Sequence, residues 1–292
     1  MDFFNGEGLV KLCNESNKKI SEVMLAREIQ LGETTKEEVY KKLAYSISIM
    51  KNSTTEPIRN PIKSMGGLLG GESKAVYDNA FTAGTMPLCG PILSKAIAYS
   101  MAVLEVNASM GLIVAAPTAG SAGVIPGAVL SVCEEYKLGE DAIYSGLLNA
   151  SALGYIIMRN ASVSGAEAGC QAEVGAASAM AASAIVELLG GSPAQSLNAA
   201  SIAMSNLLGL VCDPIAGLVE SPCQSRNAIG VSNAFTSAQI ALSGIAHPVP
   251  FDEMVDAMYK VGLSLPFELR ETALGGNAST PTGCALCKKC IG

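Results

Sequence analysis

Gln171-Ala-Glu-Val-Gly-Ala-Ala-Ser-Ala-Met-Ala-Ala-Ser-Ala-Ile-Val-Glu-Leu-Leu189 is the stretch on which the fold turns. It is too long for a typical strand and shows no alternation of β-branched and polar residues. Alanine dominates it, and alanine gives up no side-chain freedom on entering a helix. The spacing predicts a helix over 171–189, ended by Gly190-Gly191. Its small side chains predict neighbours packed at close range. Glu187 interrupts this window, and Lys95 and Glu105 interrupt the other apolar window, 92–117. Neither gives a clean membrane span of about 20 apolar residues.

The same composition extends over most of the 292 residues: 49% are hydrophobic, 15% are charged and mean hydropathy is +0.36. Trp is absent, so the apolar content comes from small and aliphatic residues. Strand signals are weak. The expected fold is therefore all-α, a tightly packed small-residue helical domain over 53–283 with an N-terminal helical extension over 1–52. A short Cys-containing tail, 284–292, follows. Residues 5–52 read as two helices, the second opened by the overlapping capping boxes of Thr34-Thr35-Lys-Glu37-Glu38. Residues 51–73 read as a connecting loop, and Asp252 as the N-cap of a last clear helix that stops before Pro266.

The formal charge is −7 and the pI about 4.9, which excludes the basic face a nucleic-acid binder needs. Between residues 90 and 250 the cations are Lys95, Lys137, Arg159 and Arg226. So long a stretch with so few charges is buried in its own fold or against a partner. Met1-Asp2-Phe3-Phe4 lacks the basic start and apolar run of a signal peptide, so the expected location is cytoplasmic.

Nine cysteines, an odd and widely spaced set, argue against a disulfide scaffold. Cys13, Cys89 and Cys133 read as small hydrophobes or inert thiols. Cys170, Cys212 and Cys223 differ, because acids, amides and a guanidinium flank them: Glu167, Gln171 and Glu173, then Asp213, then Gln224, Arg226 and Asn227. Thiols in that company suggest a metal centre. Soft thiolates favour zinc or an iron–sulfur cluster. Zinc with His247 as a fourth ligand stays open at this level, although His247 sits in a His-Pro-Val-Pro turn suited to a structural cap. Three thiolates on a 4Fe–4S cluster would leave one iron open as a Lewis acid. The tail offers Cys284, Cys287 and Cys290, either incidental thiols or a ligand folding back onto that iron. Two glycine-rich loops have backbone and hydroxyl groups suited to a carboxylate: 64–72, with Gly67 and Gly70, and 116–127, with Thr118, Ala119, Gly120 and Ser121. Neither has P-loop or dinucleotide-binding spacing.

Longer motifs carry a resemblance. Glu105-Val-Asn-Ala-Ser-Met-Gly111, Ala116-Pro-Thr-Ala-Gly-Ser-Ala-Gly-Val-Ile-Pro-Gly127 and Gly169-Cys-Gln-Ala-Glu-Val-Gly175 come first. Leu208-Gly-Leu-Val-Cys-Asp-Pro-Ile-Ala-Gly-Leu-Val-Glu220, Pro222-Cys223 and Arg226-Asn-Ala-Ile-Gly230 follow, then Arg270-Glu-Thr-Ala-Leu-Gly-Gly276 and Thr280-Pro-Thr-Gly283. In this order the chain resembles the alpha subunit of two-chain, iron–sulfur-dependent L-serine dehydratase, an L-serine ammonia-lyase. The resemblance implies a helical catalytic domain and a 4Fe–4S cluster on Cys170, Cys212 and Cys223. It also implies a separate beta subunit, hence a hetero-oligomer, and conversion of L-serine to pyruvate and ammonia. The resemblance further implies that in single-chain relatives a C-terminal Cys inserts at the cluster; here Cys284, Cys287 and Cys290 offer a tail ligand, Cys290 first by reach. No histidine of this chain suits the role of base, so the beta subunit is the expected source. L-cysteine desulfidase chemistry on the same cluster, and a non-catalytic iron–sulfur redox protein, are the alternatives.

Overall fold

The computed structural model describes residues 1–291, and of 288–291 the backbone alone. Thirteen α-helices account for most of the described chain, and no strand is formed among the described residues. The all-α expectation holds. The order is α1 Gly6–Ser16, α2 Ile20–Leu31, α3 Lys36–Arg59, α4 Glu72–Phe81, α5 Gly90–Ala108, α6 Val124–Glu135 and α7 Glu140–Asn160. Then come α8 Gly165–Ala168, α9 Ala176–Leu188, α10 Pro193–Asn206, α11 Cys223–Leu242, α12 Phe251–Ser264 and α13 Pro281–Ile291.

Helix α9 is the centre of the molecule, packed on α6, α7, α10 and α11. Every residue from Ala176 to Glu187 is buried. A helix surrounded on all sides has no face for large side chains, which explains the run of Ala and Ser. One buried methyl contributes only about 0.8 kcal/mol, so the stability of this core comes from how many backbones approach closely. The approach is tightest between α5 and α6. A Cβ on Gly127 would stand 2.8 Å from the Ala96 carbonyl oxygen, and one on Gly123 would stand 2.1 Å from that of Ser100.

Four local expectations need correction. The N-terminal region forms three helices, because Asn17 takes left-handed backbone (φ 52°) and ends α1. The Thr35–Glu38 capping box then starts α3 as expected. Helix α3 runs on through 51–59, so the 52/53 boundary falls inside it. Pro57 interrupts one hydrogen bond without ending the helix, and is buried with Ile58. Asp252 lies in the first turn of α12 but caps another helix: its carboxylate accepts the backbone N–H of Gly6 (2.6 Å) and Glu7 (3.0 Å) at the start of α1. The helix expected from 171 begins as a π-turn, Gln171–Gly175, before α9.

The first 31 residues are stitched into the same core. Leu9, Cys13, Ile20, Val23 and Met24 are buried in it. Buried Arg27 pairs with Asp2 at 2.9 Å, and its guanidinium lies 3.9 Å from the ring centroid of Tyr155 on α7. Buried Glu187 of α9 accepts from Asn149 of α7 (2.8 Å) and from the backbone of Ser21 (3.3 Å).

Candidate metal centre and the loops around it

Three separate elements bring the three central cysteines together. Gly169 reverses the chain after α8 with φ 75°, where a Cβ would stand 2.9 Å from the Leu210 carbonyl oxygen. Cys170 follows and opens the π-turn. The Gln171 N–H donates to Leu210 (2.9 Å) instead of to a preceding turn, and its side chain bridges Met258 O (2.9 Å) and Gly209 N (2.8 Å). Those bonds break the α-helical register and account for the π geometry, which frequently marks functional sites. Cys212 is fixed by a single parallel bridge to Arg270: its N–H donates to Leu269 O (2.9 Å) and its carbonyl accepts from Glu271 N (2.7 Å). Cys223 is the first residue of α11, directly after the cis Ser221–Pro222 bond.

The Cys170 and Cys212 side chains pack in one buried group with Val174. Cys212 Sγ lies 4.0 Å from Glu173 Oε2. All three cysteines are buried, at 3%, 3% and 8% exposure, and all eight described cysteines are free. The Cys212 thiol is pushed far above its ordinary range by its hydrogen bond with Cys170 and by burial. Burial, with Cys170 and Glu173 nearby, raises Cys223 to about 12. Burial also raises Glu173 to about 7, against the opposing hydrogen bond from Thr118. Without a metal the Cys212 and Cys223 thiols are therefore neutral at pH 7. A bound cation would reverse that preference, as metal binding does for coordinating thiols.

Does the donor set fit a metal group? Among the described residues no three His, Cys, Asp or Glu side chains stand as a single metal ion needs. Cys170 and Cys212 share one apolar contact group with Val174, whereas Cys223 packs in another with Val103, Leu104 and Ala122. Soft, buried, free thiols are the donor type that an iron–sulfur cluster takes.

Arg226 favours an anionic Cys223, against the nearby carboxylates of Glu173 and Glu271. Burial opposes the charge of Arg226, but Cys170, Asp213 and Cys223 outweigh it and raise its pKa. Arg226 pairs with buried Asp213 at 2.6 Å and donates to Val211 O at 2.8 Å, while Asp213 also accepts from the backbone and side chain of Asn277 (2.6 and 2.9 Å). This ties the Cys212 segment to α11 and to the chain before α13. Asn227 links Cys223 to the 116–123 loop: it donates to Cys223 O (2.9 Å) and Gly120 O (2.8 Å) and accepts from Gly123 N (3.0 Å).

The structure places the expected substrate residues in two groups. Thr118, Ala119, Gly120 and Ser121 lie beside the thiols. The Thr118 hydroxyl donates to Glu173 at 2.8 Å and lies 3.1 Å from that of Ser121, and a Cβ on Gly120 would meet Glu173 at 3.2 Å. Ala119 accepts from Asn107 at 3.2 Å. The N–H groups of Ala119 and Gly120 have no hydrogen-bond partner among the described residues. Gly67 and Gly70 have Lys63 as their nearest neighbour, on the outer side of the other loop.

That second loop is tied to the centre by a residue the sequence reading passed over. Glu220, only 2% exposed and three residues before Cys223, accepts from Ser64 Oγ (2.7 Å), Gly66 N (2.7 Å) and Leu68 N (3.0 Å). A lone acid amid Leu218, Val219 and Pro222, in a region almost without cations, was the available signal. Glu173 was likewise visible as a charge inside the stretch that decides the fold.

His247 is structural. Its backbone N–H donates to Asn198 (2.7 Å) and its Nδ1 accepts from Val249 N (3.1 Å). Helix α13 packs on the Ile215–Gly217 turn, which lies between Cys212 and Cys223. Cys284 is exposed, with Sγ 3.6 Å from Ala278 O, and Cys287 is half-buried. The side chain of Cys290 lies outside the described residues. Among the described residues no helix is long and apolar enough to cross a membrane.

The family model described as "Serine dehydratase alpha chain" matches residues 15–278. The chain is 46% identical to a "Probable L-serine dehydratase, alpha chain" of Bacillus subtilis, over 99% of this chain and 96% of that one. It is 47% identical to the "L-serine dehydratase, alpha chain" of Peptoniphilus asaccharolyticus, over 94% of each. The "L-serine dehydratase TdcG" of Escherichia coli is 36% identical over 95% of this chain, which spans 62% of that longer protein. The chain belongs to the serine dehydratase alpha chain family.

Proposed function

We propose that this chain is the catalytic alpha chain of an L-serine ammonia-lyase that converts L-serine to pyruvate and ammonia in the cytoplasm with a beta subunit. The observation that supports the reading is three free, buried thiols from distant parts of the sequence in the neighbourhood of Glu173 and Arg226. Cys170, Cys212 and Cys223 would hold a 4Fe–4S cluster. When bound, that cluster supplies an iron not held by these three thiols, a Lewis acid for the substrate's β-hydroxyl.

The chain's own residues do the rest. Arg226 offsets the negative charge of the thiolates, and Asp213 keeps it in place. The unpartnered N–H groups of Ala119 and Gly120, with the Ser121 hydroxyl, are donors for the serine carboxylate. Gly67, with φ 74°, lets the second loop turn over its Glu220 anchor, and Gly70 follows in the same loop as a further candidate for substrate contact. Glu173, fixed by Thr118 beside Cys212, is this chain's own candidate for the acid–base group. A base from the beta subunit is the rival source. Glu173→Gln decides between them: a fall in kcat of about a hundredfold assigns the proton transfer here, and an unchanged kcat assigns it to the beta subunit.

Oxygen-free co-purification with the beta subunit, iron and sulfide analysis, and a pyruvate assay test the whole reading. About four irons and four sulfides per alpha chain, together with pyruvate from L-serine, are expected. Sulfide released from L-cysteine in preference would establish a desulfidase instead. Reversible reduction without turnover would establish a redox protein. Iron-free protein that still deaminates serine would exclude the cluster altogether.

A further inference from the structure

Between the end of α5 and Thr118 the chain crosses the surface as Leu112-Ile-Val-Ala-Ala116. Residues 111–115 have no helix, turn or strand. Among the described residues, none of the backbone N–H or C=O groups of 112–116 makes a hydrogen bond. Five consecutive residues, all exposed or half-buried, whose backbone groups have no internal partner form an open edge, free to pair with another chain. The side chains beside this edge are apolar. Leu112 is 65% exposed and Met110 79%. Met65, 74% exposed, is held next to them by the bond from its N–H to Ala108 O (2.9 Å). On the other side, Val114 and Ala115 line an apolar cavity that reaches Met158, itself 59% exposed. A free backbone edge between two methionine-bearing apolar surfaces is the pattern used for strand addition, and methionine adapts readily to a partner.

We propose that the beta subunit docks here, pairing its backbone with residues 112–116 and covering Met65, Met110 and Leu112. The proposal rests on the two-chain reading above. The occupant is suggested by length: single-chain relatives such as the Escherichia coli and Streptomyces coelicolor proteins match this chain over only 62% and 60% of themselves, so about two-fifths of each lies beyond the alpha-like region. Docking would reach the centre by two routes. Ile113 packs on the apolar group that contains Cys223, and Thr118, two residues beyond Ala116, donates to Glu173. The beta subunit would thereby set the loop that faces the substrate.

The test is hydrogen–deuterium exchange of the full alpha chain, alone and in complex with its beta subunit, combined with sedimentation of two surface variants. The amides of 112–116 should exchange freely in the lone chain and slow at least tenfold in the complex. Leu112→Asp and Met110→Asp should each weaken the complex at least tenfold, while melting temperature and iron content of the alpha chain stay unchanged. The second variant guards against a local folding defect, since Met110 has φ 62°, a region that Asp tolerates. A complex that forms with protection elsewhere, and that both variants join as tightly as wild type, overturns the docking site and leaves the two-chain enzyme standing. A chain that forms no complex and turns over serine alone overturns both.

Discussion

Helix α9 and the Cys212–Cys223 segment are both largely shielded from water, yet they are held in opposite ways. Helix α9 has regular backbone, small side chains and neighbours on every side. The thiol segment has irregular backbone, with left-handed Ala216 (φ 59°), left-handed Glu271 (φ 65°) beside it and a cis proline. It is secured by buried ionic and backbone hydrogen bonds through Arg226, Asp213, Asn227 and Glu220. The core tolerates changes that keep volume and distance. The site depends on partners, because one removed group leaves several buried donors or acceptors unsatisfied.

The contrast can be broken at several points. Cys212→Ser should have the largest effect: iron content collapses and turnover falls about a thousandfold, the size expected when a Lewis acid worth several kcal/mol is lost. The thermal midpoint of the metal-free form should scarcely move, since a buried hydroxyl replaces a buried neutral thiol. Full iron loading in this variant would remove Cys212 from the ligand set. Glu220→Ala comes next. It strips the acceptor from Ser64, Gly66 and Leu68 and frees the Cys223 turn, so iron retention during gel filtration and kcat should drop about 10- to 100-fold. Glu220→Gln, which keeps one acceptor oxygen, should recover much of the retention. An alanine variant that holds iron as well as wild type would show that the loop and the turn are independent.

The core side is tested by two glycines. Gly127→Ala pushes a methyl against the Ala96 carbonyl oxygen (2.8 Å) and should cost about 1–3 kcal/mol in denaturant titration. Gly154→Ala meets only the flexible Met180 side chain, with Cε at 2.6 Å, and should cost less than about 1 kcal/mol. Equal costs would mean that backbone proximity is not what limits this core. Iron per folded chain should be unchanged in both.

Glu105 gives the smallest and most specific effect. Burial raises its carboxyl above the ordinary range, partly offset by hydrogen bonds from Ser73 and Gln224. Because the folded value is the higher one, its stabilising contribution is complete below the ordinary carboxylate range and is lost as pH rises through the raised value. Glu105→Gln can keep the Ser73 and Gln224 bonds by turning the Ser73 hydroxyl into an acceptor. Stability compared at pH 4 and pH 8 should therefore fall less in the variant than in wild type. An identical fall would mean that burial does not raise the Glu105 carboxyl above its value in the unfolded chain.

Much of the helical order was legible because local chemistry and final structure agree: alanine runs, the Thr35–Glu38 box and Gly190-Gly191 all act within a few residues of themselves. The errors arose where a distant group intervened. Asp252 looks like a local cap, but the Gly6 and Glu7 donors that claim it are about 245 residues away. The π-turn after Cys170 is imposed by Leu210 and Met258, which no window around Gln171 contains. Glu220 was overlooked for the same reason, since its partners lie more than 150 residues earlier.

By itself the sequence determined the helical class, the scarcity of charge in the centre and the residues rich enough in chemistry to build a site. Those properties follow from composition and short-range spacing, which hold in any arrangement of the helices. Only the tertiary structure decided that Cys170, Cys212 and Cys223 share one buried neighbourhood, that Glu173 faces them through Thr118, and that Glu220 joins one loop to the other. Such pairings depend on how far each helix carries the chain before it turns back, a distance set by packing and not written in any single segment.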